Sequence, residues 1–182
     1  MRRFWLGVWV VWLVCAYALG DAGLDRVASL VRVGDDRGAL EAIAQLPVDE
    51  QDEDALRYLR GRLALSTGQP CEAMKALART PATLPEALRE DATRRWARGA
   101  SRCGHCEEAR PVLLGGSSSE VAVTRRDRAI AADCAIEMGE LETAAEELSR
   151  LTRRRSSGGN RVALLAVLSD VYLELGREAD AR

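Results

Sequence analysis

The sequence predicts an all-α protein built as a solenoid of antiparallel helix pairs behind an N-terminal export signal. Three observations predict it. Ala, Leu, Arg and Glu dominate while aromatic residues make up only 4% of the chain; the former are ready helix formers, and residues that fill strands are scarce. A short basic start leads into an apolar run. A Gly followed five positions later by an Ala then recurs five times at near-equal steps. With 182 residues the chain is long enough to bury a core.

The first element is an address. Met1-Arg2-Arg3 precedes an apolar run from Phe4 to Gly20, and the chain turns polar at Asp21. This is the layout of a secretory signal peptide spanning 1–20. Ala18-Leu19-Gly20 places small residues where cleavage before Asp21 needs them, and Ala16-Tyr17-Ala18 offers a second cut. If retained, the run lies at the lower edge of membrane-spanning length and is an anchor; the sequence offers no other membrane contact. Cys15 follows Val14, where a lipoprotein signal has a small residue, so lipidation is not expected. Export places the chain in the periplasm or cell envelope. Lys75 is the only lysine, which reads as the codon bias of a GC-rich bacterium. A formal net charge of −2 gives no global field for nucleic acid.

The remaining residues, 21–182, carry the repeat. Gly34/Ala39, Gly68/Ala73, Gly104/Ala109, Gly139/Ala144 and Gly176/Ala181 share one spacing, with Gly-to-Gly steps of 34, 36, 35 and 37. Such periods mark stacked supersecondary units. Each Gly is expected to end a first helix, because it takes positive φ without penalty. Each Ala lets a second helix approach the first. An aliphatic follows one turn on, at Ile43, Leu77, Leu113 and Leu148, to fill the seam. Small residues also recur seven before the Gly, at Gly61, Ala97, Ala132 and Ser169.

In order, the predicted pairs are 22–33 with 36–46, 52–67 with 70–79, 84–103 with 106–114, and 121–138 with 141–154. A last first-helix at 161–175 is followed by the start of a second from 178. Pro47 and the acidic run Asp49 to Asp54 form one connection, with the acids suited to the positive end of the next helix. Gly115 to Ser119 and Ser156 to Asn160 form two more. The chain stops at "GREADAR", one turn into the second helix of the fifth pair. Repeat arrays end in a capping helix, so the 182 residues are expected to be the N-terminal part of a longer protein or a truncated relative of one.

The stretches "GQPCEAMKAL", "GHCEEARPVL" and "GELETAAEEL" resemble the turn and second helix of the tetratricopeptide repeat. That resemblance implies a right-handed superhelix of about four helix pairs plus an incomplete fifth. It departs from the family in lacking most bulky aromatics of the first helix. "LRYLRGRLALSTGQPCEAMKAL" and the Arg- and Ala-rich pairs after it are also similar to the N-terminal superhelical region of soluble lytic murein transglycosylases. This second resemblance implies an accessory arm for a peptidoglycan-cleaving domain beyond residue 182.

Candidate chemistry is sparse. Cys103-Gly104-His105-Cys106 has the form of a disulfide-isomerase active site. No strand signal precedes it, however, and Gly104 is in phase with the repeat glycines. Cys71, Cys103, Cys106, His105 and Cys134 lack a second closely spaced pair of the kind zinc sites use, so no metal or other cofactor is expected. In an oxidising compartment, the four cysteines after the signal read as disulfide staples. A stacked array puts Cys71 near Cys103, and Cys106 toward Cys134. His105 is the only histidine, which leaves a catalytic triad without material. Arg94, Arg95, Arg98, Arg102, Arg125, Arg126 and Arg128 form a candidate surface for an anionic partner, with a further cluster at Arg153, Arg154, Arg155 and Arg161; a solvated face paired with Glu and Asp is the plainer reading. The expectation is a non-enzymatic scaffold of the cell envelope that binds a protein or peptide partner, peptidoglycan or its enzymes. The alternatives are the transglycosylase arm and a thiol-disulfide oxidoreductase using Cys103 and Cys106.

Overall fold

A computed structural model describes residues 22–78, 84–115, 123–153 and 160–181. The expected signal peptide, 1–20, lies outside the described residues, as do most of the two Gly/Ser connections. Every regular element among the described residues is helical. The chain divides into two compact units, Met1–Arg89 and Glu90–Arg182.

The first unit holds α1 (22–33), α2 (Asp36–Ala44), α3 (Val48–Gln51), α4 (Asp54–Ser66) and α5 (Pro70–Leu77), and α6 (Glu86–Arg102) starts in it. Its core gathers Val27 of α1, Ala39, Ala42 and Ile43 of α2, Leu46 of the following turn, and Leu56 and Leu63 of α4. The second unit holds the rest of α6, then α7 (Cys106–Leu113), α8 (Arg125–Glu137), α9 (Leu141–Arg153) and α10 (Asn160–Glu174). Here Ala132 and Ala135 of α8, Ala144, Ala145, Leu148 and Leu151 of α9, and Leu168 and Val171 of α10 form one cluster.

One turn, repeated, explains the Gly-to-Ala spacing. At the end of α8, Gly139 takes φ +73°. Its N–H donates to the Ile136 carbonyl at 2.9 Å, and the Glu140 N–H donates to Ala135 at 2.8 Å. This is the Schellman pair of bonds, which satisfies carbonyls a helix end otherwise leaves open. The Glu140 carbonyl then accepts from Ala144 N–H at 3.0 Å, so the residue after Gly starts the next helix. Ala144 is therefore the first residue of α9 to close a helical bond, and its methyl is fully buried. The same bonds recur around Gly34, Gly68 and Gly104, and Ala39, Ala73 and Ala109 are equally buried.

The remaining positions of the motif interlock. Ile43, Leu77, Leu113 and Leu148, one turn beyond each Ala, are among the most completely buried large side chains. A Cβ on Gly61 would lie 2.4 Å from Leu77 Cγ. The small residue seven before the turn thus receives the aliphatic nine after it, and α4 and α5 pack at close range.

Two stretches differ from expectation. The acidic connection after Pro47 contains the short helix α3, with Asp49 and Glu50 in its first turn. Gln51 Nε2 donates to the Leu46 carbonyl at 2.6 Å and closes that connection on itself. The expected second helix from 178 is a run of turns over 178–181. So few residues close too few bonds to offset the cost of nucleating a helix; Ser169 Oγ instead donates to the Ala181 carbonyl at 2.8 Å. Leu168 of α10 is buried, whereas Leu165, Val162 and Leu173 are exposed.

Candidate anion-binding recess

The seven arginines proposed from sequence divide into two groups. Arg98 of α6 donates through Nε to Asp127 Oδ1 at 2.6 Å, and an Arg94 terminal nitrogen lies 3.8 Å from Oδ2. Asp127 is 1% exposed and ties α6 to α8. Thr124 caps α8: it accepts from the Asp127 N–H at 3.1 Å and donates its hydroxyl to Oδ2 at 2.6 Å. Burial alone would raise the Asp127 carboxyl pKa. The hydrogen bonds from Arg98 and Thr124, with the charges of Arg98 and Arg94, outweigh it and hold the group below the usual carboxylate value. Arg95 pairs with Asp91 on its own helix. Arg94, Arg95 and Arg98 thus each face a carboxylate within the chain. Spacing on one helix cannot reveal an acid that arrives from another. Arg102 and Arg126 are exposed.

Arg125 and Arg128 have a different setting. They lie three residues apart at the start of α8, opposite Arg150 and Arg153 at the end of α9. The four arginines, with Val123 and Leu151, line a recess of about 320 Å³. Glu147 sits beneath it with its side chain 6% exposed; Oε2 accepts from Arg128 at 2.5 Å and Oε1 from Arg150 at 2.8 Å. Arg150 also pairs with Glu146. Arg125 donates to the Leu151 carbonyl at 3.2 Å. Arg153 is exposed and forms no ion pair with a described residue. Arg150 is absent from the surface named above, because its acids three and four positions back make it look like an ordinary solvated helix face. Two recesses in the first unit contrast with this one. Of about 300 and 260 Å³, both are bordered by Arg60 and Glu72, which pair at 3.6 Å and cancel one another's charge.

Cys106 of α7 and Cys134 of α8 form a disulfide with Cα atoms 5.1 Å apart, and both are buried. A redox-active Cys103–Cys106 pair would need Cys106 for itself, so this bond runs against the oxidoreductase reading. Cys71 and Cys103 fall in different units. His105 is the exposed N-cap residue of α7. Among the described residues no group of three His, Cys, Asp or Glu side chains is arranged to hold a metal ion, and no helix is long and apolar enough to cross a membrane.

No known family model matches the sequence, and no curated protein resembles it at a significant level. In structure the chain is similar to the crystal structure of MamA, a TPR-like helical protein, with a TM-score of 0.64, 14% identity, and cover of 89% of this chain and 85% of that one. At that identity the likeness is one of fold. The comparisons lend no support to the transglycosylase resemblance. All-helical, punctuated by buried-Ala turns and matched by this neighbour, the chain is TPR-like in fold.

Proposed function

We propose that the chain is a non-enzymatic protein-interaction scaffold of the bacterial cell envelope, binding a peptide or partner protein on its helical-repeat surface. The observation that carries the reading is the TPR-like fold itself. Folds of this kind expose extended surfaces and work by binding peptides or partner helices. The repeat residues Gly34 through Ala144 are consumed by turns and packing, which leaves the charged outer faces for recognition. The layout of residues 1–20 supports placement in the envelope, and 21–182 is then the mature repeat array.

The test is cross-linking in living cells that express the full chain, followed by recovery of the tagged protein from the envelope fraction and N-terminal sequencing. The reading expects a discrete protein partner in stable proportion and a mature chain starting at Asp21. Recovery of the chain alone, from the cytosol with Met1 intact, would overturn it.

A further inference from the structure

We propose that the face of α10 formed by Val162, Leu165 and Ala166 docks one amphipathic α-helix of a partner protein, seated on α10 as α9 is seated on α8 and carrying an aliphatic residue where α9 has Glu147. The proposal rests on the scaffold reading and adds the kind of element that the scaffold holds.

The repeat itself says what covers this face. Counted back from the turn glycine, the same positions of the first helix meet the second helix of its pair. Seven back, Gly61 of α4 lies against Leu77 of α5. Eleven back, Arg57 of α4 donates to the Ala76 carbonyl of α5 at 3.5 Å, and Arg128 of α8 pairs with Glu147 of α9. Fourteen back, Arg125 of α8 donates to the Leu151 carbonyl of α9. Gly176 ends α10 with the same turn by which Gly139 ends α8, so the corresponding residues of α10 are Ser169, Leu165 and Val162. Ser169 is engaged, because its hydroxyl donates to the Ala181 carbonyl and the turns at 178–181 stand where the first turn of a second helix would. Beyond that turn the face is open among the described residues. Val162 and Leu165 keep 72% and 44% of their surface exposed, and Ala166 between them is exposed as well.

The change in side-chain chemistry selects the occupant. At the positions where α4 and α8 reach their second helices through arginine, α10 presents aliphatic side chains. An acid such as Glu147 would lose water there without gaining a cation, which is costly. An aliphatic residue would instead remove apolar surface from water on both sides of the contact. The opposite side of α10, with Leu168 and Val171, is already packed on α9, and a helix that is apolar on both sides is normally covered on both. A helix laid along another with its anchors one turn apart is an established mode of recognition. A second copy of the chain fits less well. Two copies of α10 set antiparallel, with Val162 across from Leu173, bring Ala166 across from Ser169. That sets small against small, whereas the seam between α4 and α5 sets Gly61 against Leu77.

The test uses protein purified from cells expressing all 182 residues. The probe is a fluorescein-labelled peptide with the α9 sequence, Leu141–Arg153, carrying Glu147→Leu and held helical by a lactam across its outer face. Binding is read by anisotropy, and the unaltered α9 sequence is the comparison peptide. The leucine peptide should bind more tightly than the glutamate peptide, and Val162→Ser/Leu165→Ser should weaken it about tenfold or more. Leu165→Arg restores the chemistry of α8, so it should reverse the preference and favour the glutamate peptide. Val33→Ser, at an exposed apolar residue of α1, should change nothing; circular dichroism checks the fold of each variant. Equal binding by the double variant overturns the proposal, as does an unreversed preference in Leu165→Arg or binding of neither peptide. Sedimentation showing a dimer that the double variant dissociates would assign the face to a second copy. Binding to phosphatidylglycerol vesicles that the double variant loses would assign it to a membrane surface. Either result overturns the proposal too. If the peptides fail while cross-linking still recovers a partner, only the α10 face is overturned; if both fail, the scaffold reading goes as well.

Discussion

Replacing Asp127 by Ala tests whether the buried acid between α6 and α8 holds the second unit together. Removing one partner of a buried ion pair costs about 3–5 kcal/mol, because the opposite charge is left unpaired in a poor solvent. Arg98 and Arg94 keep 17% and 15% of their side-chain surface exposed, so both would partly rehydrate. The Thr124 cap on the backbone at position 127 survives the change, since the N–H donor remains. The lower end applies, about 3 kcal/mol. The pH dependence has a definite sign. The folded-state pKa of Asp127 lies below the unfolded value of about 3.9. Its stabilisation is therefore complete above that value and is lost as pH falls through the folded-state pKa. Urea unfolding followed by circular dichroism at about pH 7 and about pH 3 measures both. The gap between wild type and Asp127→Ala should be wide at neutral pH and narrower in acid. A gap under about 1 kcal/mol at neutral pH, the value of an exposed pair, would refute the reasoning, as would a gap that does not shrink in acid.

Three further outcomes follow from the repeat turn and its packing. Gly139→Ala should cost about 1–2 kcal/mol in the same unfolding assay, because φ +73° brings a Cβ against the following carbonyl; no loss would mean that the turn does not depend on Gly. Leu148→Ala should cost about 3–5 kcal/mol, the side chain being 1% exposed between α8 and α10; a cost below about 1 kcal/mol would place it outside the core. Peptide mapping without reductant should recover Cys106 linked to Cys134. At a sequence separation of 28, Cys106→Ala/Cys134→Ala should lose about 3–4 kcal/mol by the loop-entropy relation; a map showing both as free thiols contradicts the staple.

The helix pairs were legible in the sequence because the turn that makes them is local. A Gly with positive φ, the next residue opening a helix, and an Ala making the first helical bond all lie within six positions, so their spacing survives in the text. The Cys106–Cys134 bond was legible for a related reason, since near-constant repeat length sets which parts of neighbouring pairs face each other. The recess was not. Arg125 and Arg150 come together only through the antiparallel packing of α8 on α9, and Arg150 sits among acids that make it look ordinary. Asp127 was missed likewise: nothing in "TRRDRA" marks one acid as buried, because the arginines that neutralise it stand 29 and 33 residues earlier. The helix α3 escaped notice because its acids read as a solvated linker, while the bond from Gln51 to Leu46 that closes it is a detail of side-chain reach.

The most direct test of the central claim, that this chain works by holding a protein partner on its repeat surface, is site-specific photocross-linking in the cell. A photoreactive residue replaces Arg153 at the rim of the recess, and a second strain carries it at Arg177 as the outside control. On irradiation the account predicts a discrete protein adduct from position 153, absent from position 177. Adducts to lipid alone from either position, or none to any protein, would contradict it.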